Sequence, residues 1–337
     1  MNSFSLTTLF STSLVSLGLA LSPFALAKDT LNVYTYDSFS SDWGPGPKIK
    51  ANFEKECDCE VNFVALDSSG GILSRAQLEG KSSKADVLLG LDLNLMEAAK
   101  KSGLLGQHGV DTSAVTIAGG WSDKTFVPFD QGHFAFIYNS ETLPNPPTSL
   151  QEVVDNQNLR VIYQDPRTST PGLGLLLWMK SVYGDEAADA WERLASHTVT
   201  VTKGWSDAYS LFLKGEADVV LSYTTSPAYH VVAEGEDKYK AAPASEGLYP
   251  QIEVAAMMEN APHPVLAKRF MQFILQPGFQ STVATGNWML PVIKLDEKLP
   301  AAFDSALKPA KNLVLPAKQV AQNRKAWIDE WLNATTQ

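Results

Sequence analysis

The sequence predicts an α/β protein of two lobes joined by extended crossovers, with a ligand cleft between them. Three observations carry this. Strands and helices alternate from residue 31 to 101 and again from 149 to 227, the order that builds sheets covered by helices. Between these blocks runs Thr125–Tyr138, an extended segment longer than one ordinary strand and able to cross between lobes. The chain has 337 residues, 45% hydrophobic and 19% charged, enough for two lobes rather than one.

The elements follow in order. Leu31–Tyr36 reads as a strand and Pro45–Glu56 as a helix with Ile49 and Phe53 on one face. Glu60–Leu66 is a second strand, Gly71–Glu79 a helix, Ala85–Leu89 a third strand and Leu93–Lys101 another helix, which implies a parallel sheet. Ser149–Asp155 is a short helix with a capping box between Ser149 and Glu152. Arg160–Gln164 is a strand, and Pro171–Val182 and Glu186–Ser196 are helices that place Trp178 and Trp191 in the core. Thr198–Thr202 is a β-branched strand; Ser206 then caps a helix with Tyr209, Phe212 and Leu213 on one face, ended by Gly215. A buried strand, Val219–Tyr223, empties into Thr224-Thr225-Ser226-Pro227. Gln251–Met257 is extended, and Val265–Leu275 is an amphipathic helix with Leu266, Phe270, Phe273 and Ile274 inward. Phe126, Phe129, Phe134 and Phe136 read as core. The division expected is a first lobe of 28–128 and about 251–290, and a second of 129–250 and about 291–337.

Residues 1–27 contain no Asp, Glu, Lys or Arg, carry an apolar stretch and end Ala25-Leu26-Ala27. This predicts a secretory signal peptide cleaved after Ala27, with only the terminal amine in place of a basic start. The apolar stretch is too short and too rich in Ser and Thr for a membrane anchor, and no Cys follows for lipid attachment. All 27 basic and 37 acidic residues lie beyond it, so the remainder carries the net charge of −10. That balance disfavours nucleic acid and anionic membranes and suits a cationic ligand. Cys57 and Cys59 are the two cysteines; the sequence leaves open whether they form a local disulfide or stay as thiols, in a structural role.

No catalytic motif emerges. His108, His133, His197, His230 and His263 are scattered without metal-ligand spacing and read as surface or hydrogen-bonded residues. There is no GxSxG, no Walker A, and Gly172-Leu173-Gly174 lacks the third glycine of a dinucleotide loop. Three strand exits stand out instead: Asp67-Ser68-Ser69-Gly70-Gly71, Asp165 through Gly172 with Ser169 and Thr170, and Tyr223 through Pro227. Each offers hydroxyls and helix-start N–H groups, suited to an anion or a polar ligand edge. Tyr36, Trp43, Trp205, Tyr229 and Trp288 lie in loops or at element ends, where stacking on a flat or cationic ligand is the functional reading.

Val33–Phe39, Asp42–Pro47, Tyr163–Gly174, Lys203–Ser206 and Leu221–His230 closely resemble the periplasmic thiamine-binding proteins of bacterial thiamine ABC importers, and the resemblance covers essentially the whole chain after residue 27. It implies a type II periplasmic-binding fold closing by hinge motion. It also implies ligand contacts at Ser68 and Ser69, at Ser169 and Thr170 on the phosphate side, at Trp205, and at Tyr223, Thr224, Thr225 and Ser226. Tyr36, Trp43, Tyr229 and Trp288 match aromatic positions around the thiamine rings. Ser68-Ser69 departs from an acidic-Gly pattern in the family, with Asp67 alongside to supply charge. The implied function is capture of thiamine and its mono- and diphosphate in the periplasm, by a monomer that delivers them to a membrane permease and its ATPase. No cofactor, metal site or catalysis is expected. The alternatives are a ferric-ion or oxyanion receptor of the same fold, or a thiamine-degrading enzyme or phosphatase.

Overall fold

Residues 28–336 are described by a computed structural model, and the signal-peptide expectation for 1–27 lies outside them. The chain opens with β1 (Thr30–Tyr36), the short α1 (Asp37–Ser40), α2 (Gly46–Cys57), β2 (Glu60–Leu66), α3 (Ser69–Glu79), β3 (Val87–Asp92) and α4 (Met96–Lys101). β1 pairs in parallel with β2 and β3, as alternating strands and helices require. β3 is buried at every position, the signature of a strand covered on both faces, and it runs on to Asp92 rather than stopping at Leu89.

β4 (Phe126–Asn139) follows at 14 residues. After it come α5 (Leu150–Asp155), β5 (Val161–Gln164), α6 (Thr170–Tyr183), α7 (Ala187–Ala195), β6 (Thr198–Thr202), α8 (Trp205–Leu213), β7 (Val219–Tyr223) and α9 (Ser226–Tyr229), which runs into a π-helical turn at His230–Glu234. β8 (Tyr239–Ala241), β9 (Pro250–Met257), α10 (Pro264–Phe273), α11 (Pro277–Gly286), β10 (Leu290–Pro291) and α12 (Ala317–Thr335) complete it. The strand order is β2-β1-β3-β9-β4-β7-β5-β6, with β8 and β10 also on β4.

The sheet is mixed, not wholly parallel: β9 runs antiparallel between β3 and β4, and β4 runs antiparallel to β7. The first half of β4 pairs with β9 and its second half with β7 and β8. One long strand thus stitches two groups of strands together.

The expected core residues pack as their patterns require. Phe126, Phe129, Phe134, Phe136, Trp178, Trp191, Phe270 and Phe273 are all buried. Burying each such side chain contributes roughly 1.5–3 kcal/mol. All five histidines are hydrogen-bonded. Ser149 Oγ accepts from the Glu152 N–H at 2.9 Å, while the Glu152 carboxylate accepts from Thr148 N rather than from the cap residue itself. Two local expectations are corrected. α8 begins at Trp205 with Gly204 as its cap, because Gly204 already has extended backbone, so Ser206 lies inside the first turn. Leu213 is exposed, since Ala208, Tyr209 and Phe212 fill the buried face of this nine-residue helix. Cys57 and Cys59 form a disulfide across Asp58, which ends α2 in the left-handed conformation (φ 51°).

Candidate functional site

A cavity of about 510 Å³ opens where the strands of both groups end. Its size suits a small organic ligand. Three longer helices begin at its wall, α3 at Ser69, α6 at Thr170 and α8 at Trp205, together with the short α1 at Asp37 and α9 at Ser226. Helix starts gather there because each follows a strand that ends at the cavity, and their unpaired N–H groups give that wall a positive character. Ser68 caps α3 by accepting from Gly71 N at 3.2 Å. Across the cleft, Ser69 and Thr170 bond to each other through their hydroxyls, joining α3 to α6.

The opposite character comes from aromatic rings. Trp205 stacks on Tyr209 (centroids 4.9 Å apart, planes at 23°) and faces Trp43 at 6.5 Å. Its indole N–H donates to Ser222 Oγ at 2.8 Å, and Ser222 bonds in turn to Ser226. Ser226 Oγ also accepts from Tyr223 N at 3.2 Å, so the hydroxyl run at the end of β7 holds the tryptophan in place. Behind it, Tyr209 OH bonds to His230 Nε2 at 2.9 Å and His230 Nδ1 to Glu234 at 2.7 Å. Burial pushes the Tyr209 phenol well above its ordinary range and lowers His230, so this chain stays neutral apart from Glu234. Trp288 meets Tyr229 edge-on at 5.4 Å and stacks on Phe303. Its backbone is left-handed (φ 56°), a conformation that costs an L residue about 1–3 kcal/mol.

Of the residues expected from sequence, Tyr36, Trp43, Ser68, Ser69, Ser169, Thr170, Trp205, Tyr223, Ser226, Tyr229 and Trp288 line this one cavity. Thr224 and Thr225 do not. Both are buried beneath it, the Thr224 N–H donating to His133 O and Thr225 Oγ1 approaching Met289 Sδ at 3.8 Å. Thr225 thus touches Met289, which does line the wall.

Sequence reasoning missed Asp37, Tyr209, Glu253, Asn287 and Met289. Glu253 is buried, accepts from Tyr36 OH at 2.7 Å, and is joined to Asp130 by the Asn287 amide. The available signal was a single acid inside an apolar strand, Ile252-Glu253-Val254. Asp67 lies at the mouth beside Ser68 and is paired with Lys203, which offsets its charge. Burial raises the carboxyl of Asp37 nearby, helped by Asp67 and Asp207. With aromatic faces on one side, helix starts on another and acids at mouth and floor, the cavity can hold a flat cation that carries a polar or anionic tail.

The bacterial extracellular solute-binding protein family matches residues 44–281. A thiamine-binding periplasmic protein of Escherichia coli (strain K12) is 58% identical over 311 residues, covering 92% of this chain and 94% of the relative. A solved periplasmic thiamin-binding protein superposes with a TM-score of 0.90 at 56% identity, covering 96% of this chain and all of the other. The ferric-binding protein of Campylobacter jejuni shares the fold, with a TM-score of 0.74 at 20% identity over 90% of this chain and 99% of that one.

Proposed function

The chain belongs to the bacterial extracellular solute-binding proteins, and from that premise we propose that it is a periplasmic receptor that captures thiamine and hands it to an ABC permease. The fold is the type II periplasmic-binding fold. The observation that carries the ligand is one cavity combining Trp43, Trp205, Tyr229 and Trp288 with the helix starts at Ser69 and Thr170. Thiamine has a thiazolium and a flat aminopyrimidine for the rings, and its phosphate esters have an anionic end for the helix starts. A desolvated cation–π contact contributes ~2 kcal/mol, so a few would supply much of the about −8 kcal/mol of a micromolar complex.

The finer reading is that the mono- and diphosphate are carried too, with Ser169 and Thr170 on the phosphate side. The receptor works as a monomer, the permease is driven by its own ATPase, and thiamine leaves unchanged without any cofactor. The lobes that close are 28–128 with about 251–290, and 129–250 with about 291–337. The alternative of a thiaminase would need a cysteine nucleophile in the cleft, and Cys57 and Cys59 are instead joined to each other outside the cavity wall. Thiamine is favoured over ferric ion because the relative at 58% identity is named thiamine-binding, whereas the ferric-binding structure is 20% identical, and Tyr223 and Tyr229 are not the adjacent tyrosine pair that iron sites of this fold resemble. Incubating the mature protein with thiamine and separating the products tests this reading. Intact thiamine retained by the protein is expected; free pyrimidine or thiazole would overturn it.

A further inference from the structure

The cavity floor holds a pair of acids that the aromatic and hydroxyl contacts leave without a role. Asp130 of β4 and Glu253 of β9 are partners in the antiparallel register, and both are buried. Directly opposed side chains of this kind lie close, with Cβ atoms about 4.5–5.5 Å apart. Glu253 lines the cavity. Its Oε2 accepts from Tyr36 OH at 2.7 Å and from Asn287 Nδ2 at 3.3 Å, and the same amide donates to Asp130 Oδ2 at 2.7 Å. Asp130 Oδ1 finds no partner among the described residues.

Two carboxylates so close in a dry interior cannot both be ionised at modest cost. A proton held between them removes the repulsion and supplies the donor that Asp130 lacks. The groups facing the pair are Tyr36 from β1, Tyr223 from β7, Asp92 at the end of β3 and the neutral Asn287 after α11. None of them is a cation. Arg324 of α12 faces Asp92, and Lys214 of the cavity wall follows α8. Burial pushes the Asp130 carboxyl up to about 7, and burial with the Asp130 charge holds Glu253 well above the usual carboxylate range.

We propose that Glu253 and Asp130 are the charge-selecting element of the cleft: they share one proton in the ligand-free protein, release it when a fixed cationic ring binds against Glu253, and thereby favour that ring over a neutral one of the same shape. One O–H bond breaks, the proton goes to solvent, and the pair passes from one negative charge to two while the ligand's positive charge is unchanged. This inference rests on reading the cleft as the thiamine site.

The test is calorimetric titration of the whole mature chain with thiamine, at about pH 6, in two buffers of different protonation enthalpy. The apparent enthalpies should differ by an amount corresponding to release of up to about one proton per ligand. A neutral thiophene isostere should release none and bind at least about tenfold more weakly. Glu253→Gln should abolish the release and narrow that discrimination, and Asp130→Asn should do the same, so a folding defect in one variant leaves the other. Normal thiamine binding with buffer-independent heat, or undiminished discrimination in the variants, overturns the proposal. Absence of thiamine binding in every buffer overturns instead the reading of the cleft on which it rests.

Discussion

Between β4 and β9 the folded chain holds protons that the unfolded chain gives up, because burial raises both Asp130 and Glu253 above their ordinary values. A raised folded-state value means the contribution is fully present below the unfolded carboxylate range and is lost as pH rises through about 7. Replacing Glu253 by Gln removes the part of that loss that Glu253 contributes, while Asp130 stays buried. The ligand-free variant should therefore gain in melting temperature over the parent between about pH 5 and pH 8, reaching roughly 2–4 °C, measured by calorimetry. A constant difference across the range would show that the acid pair is not protonated. On the aromatic side, Trp205→Ala and Tyr223→Ala should each weaken thiamine by about tenfold or more while leaving the circular dichroism unchanged. Equal titration curves for parent and variants would remove both from the site. Trp205 and Tyr223 were legible as cavity-lining rings because they stand at a helix start and a strand end, although both also pack on core residues. Glu253 was not, because one acid in an apolar strand has the same pattern whether it faces solvent, a partner or a ligand.

At the scale of elements, the starts of α3 and α6 meet across the cleft through Ser69 and Thr170. Their aligned N–H groups favour negative charge there, with an effect confined to the first turn. Ser169→Ala combined with Thr170→Val should therefore weaken thiamine mono- and diphosphate at least several-fold more than free thiamine, by equilibrium dialysis. Equal losses for the three ligands would assign the phosphate end elsewhere. β3 shapes the site from behind: Gly90 has φ 104°, and a Cβ there would lie 2.5 Å from the Tyr36 ring. Gly90→Ala should displace Tyr36 and lower both stability and thiamine affinity, whereas a change at the open position Gly80 (φ 59°) should affect stability alone. The α/β alternation was legible because strand and helix periods differ clearly. α12 was not read, although Val320, Trp327, Ile328, Trp331 and Ala334 recur at helical spacing and form the face that packs on the core, with α7 as its main neighbour. Nor was the reversal of β9, since strand direction depends on the route of the connecting chain.

Across the molecule, contacts join the proposed lobes at several points: Ser69 to Thr170, Asp67 to Lys203, and Trp43 to Trp205. The Asp67–Lys203 pair is largely exposed, and such pairs contribute at most about 1 kcal/mol. Saturation with thiamine at about 100 times its Kd should stabilise the fold by about 2.7 kcal/mol. Trp43, Trp205 and Trp288 all line the cavity, so their emission reports occupancy directly. The decisive measurement is intrinsic tryptophan fluorescence of the refolded, ligand-stripped mature protein titrated with thiamine, its mono- and diphosphate, and ferric citrate. The account predicts saturable quenching by thiamine at micromolar or lower concentration and none by ferric citrate; a ferric response without a thiamine response would contradict it.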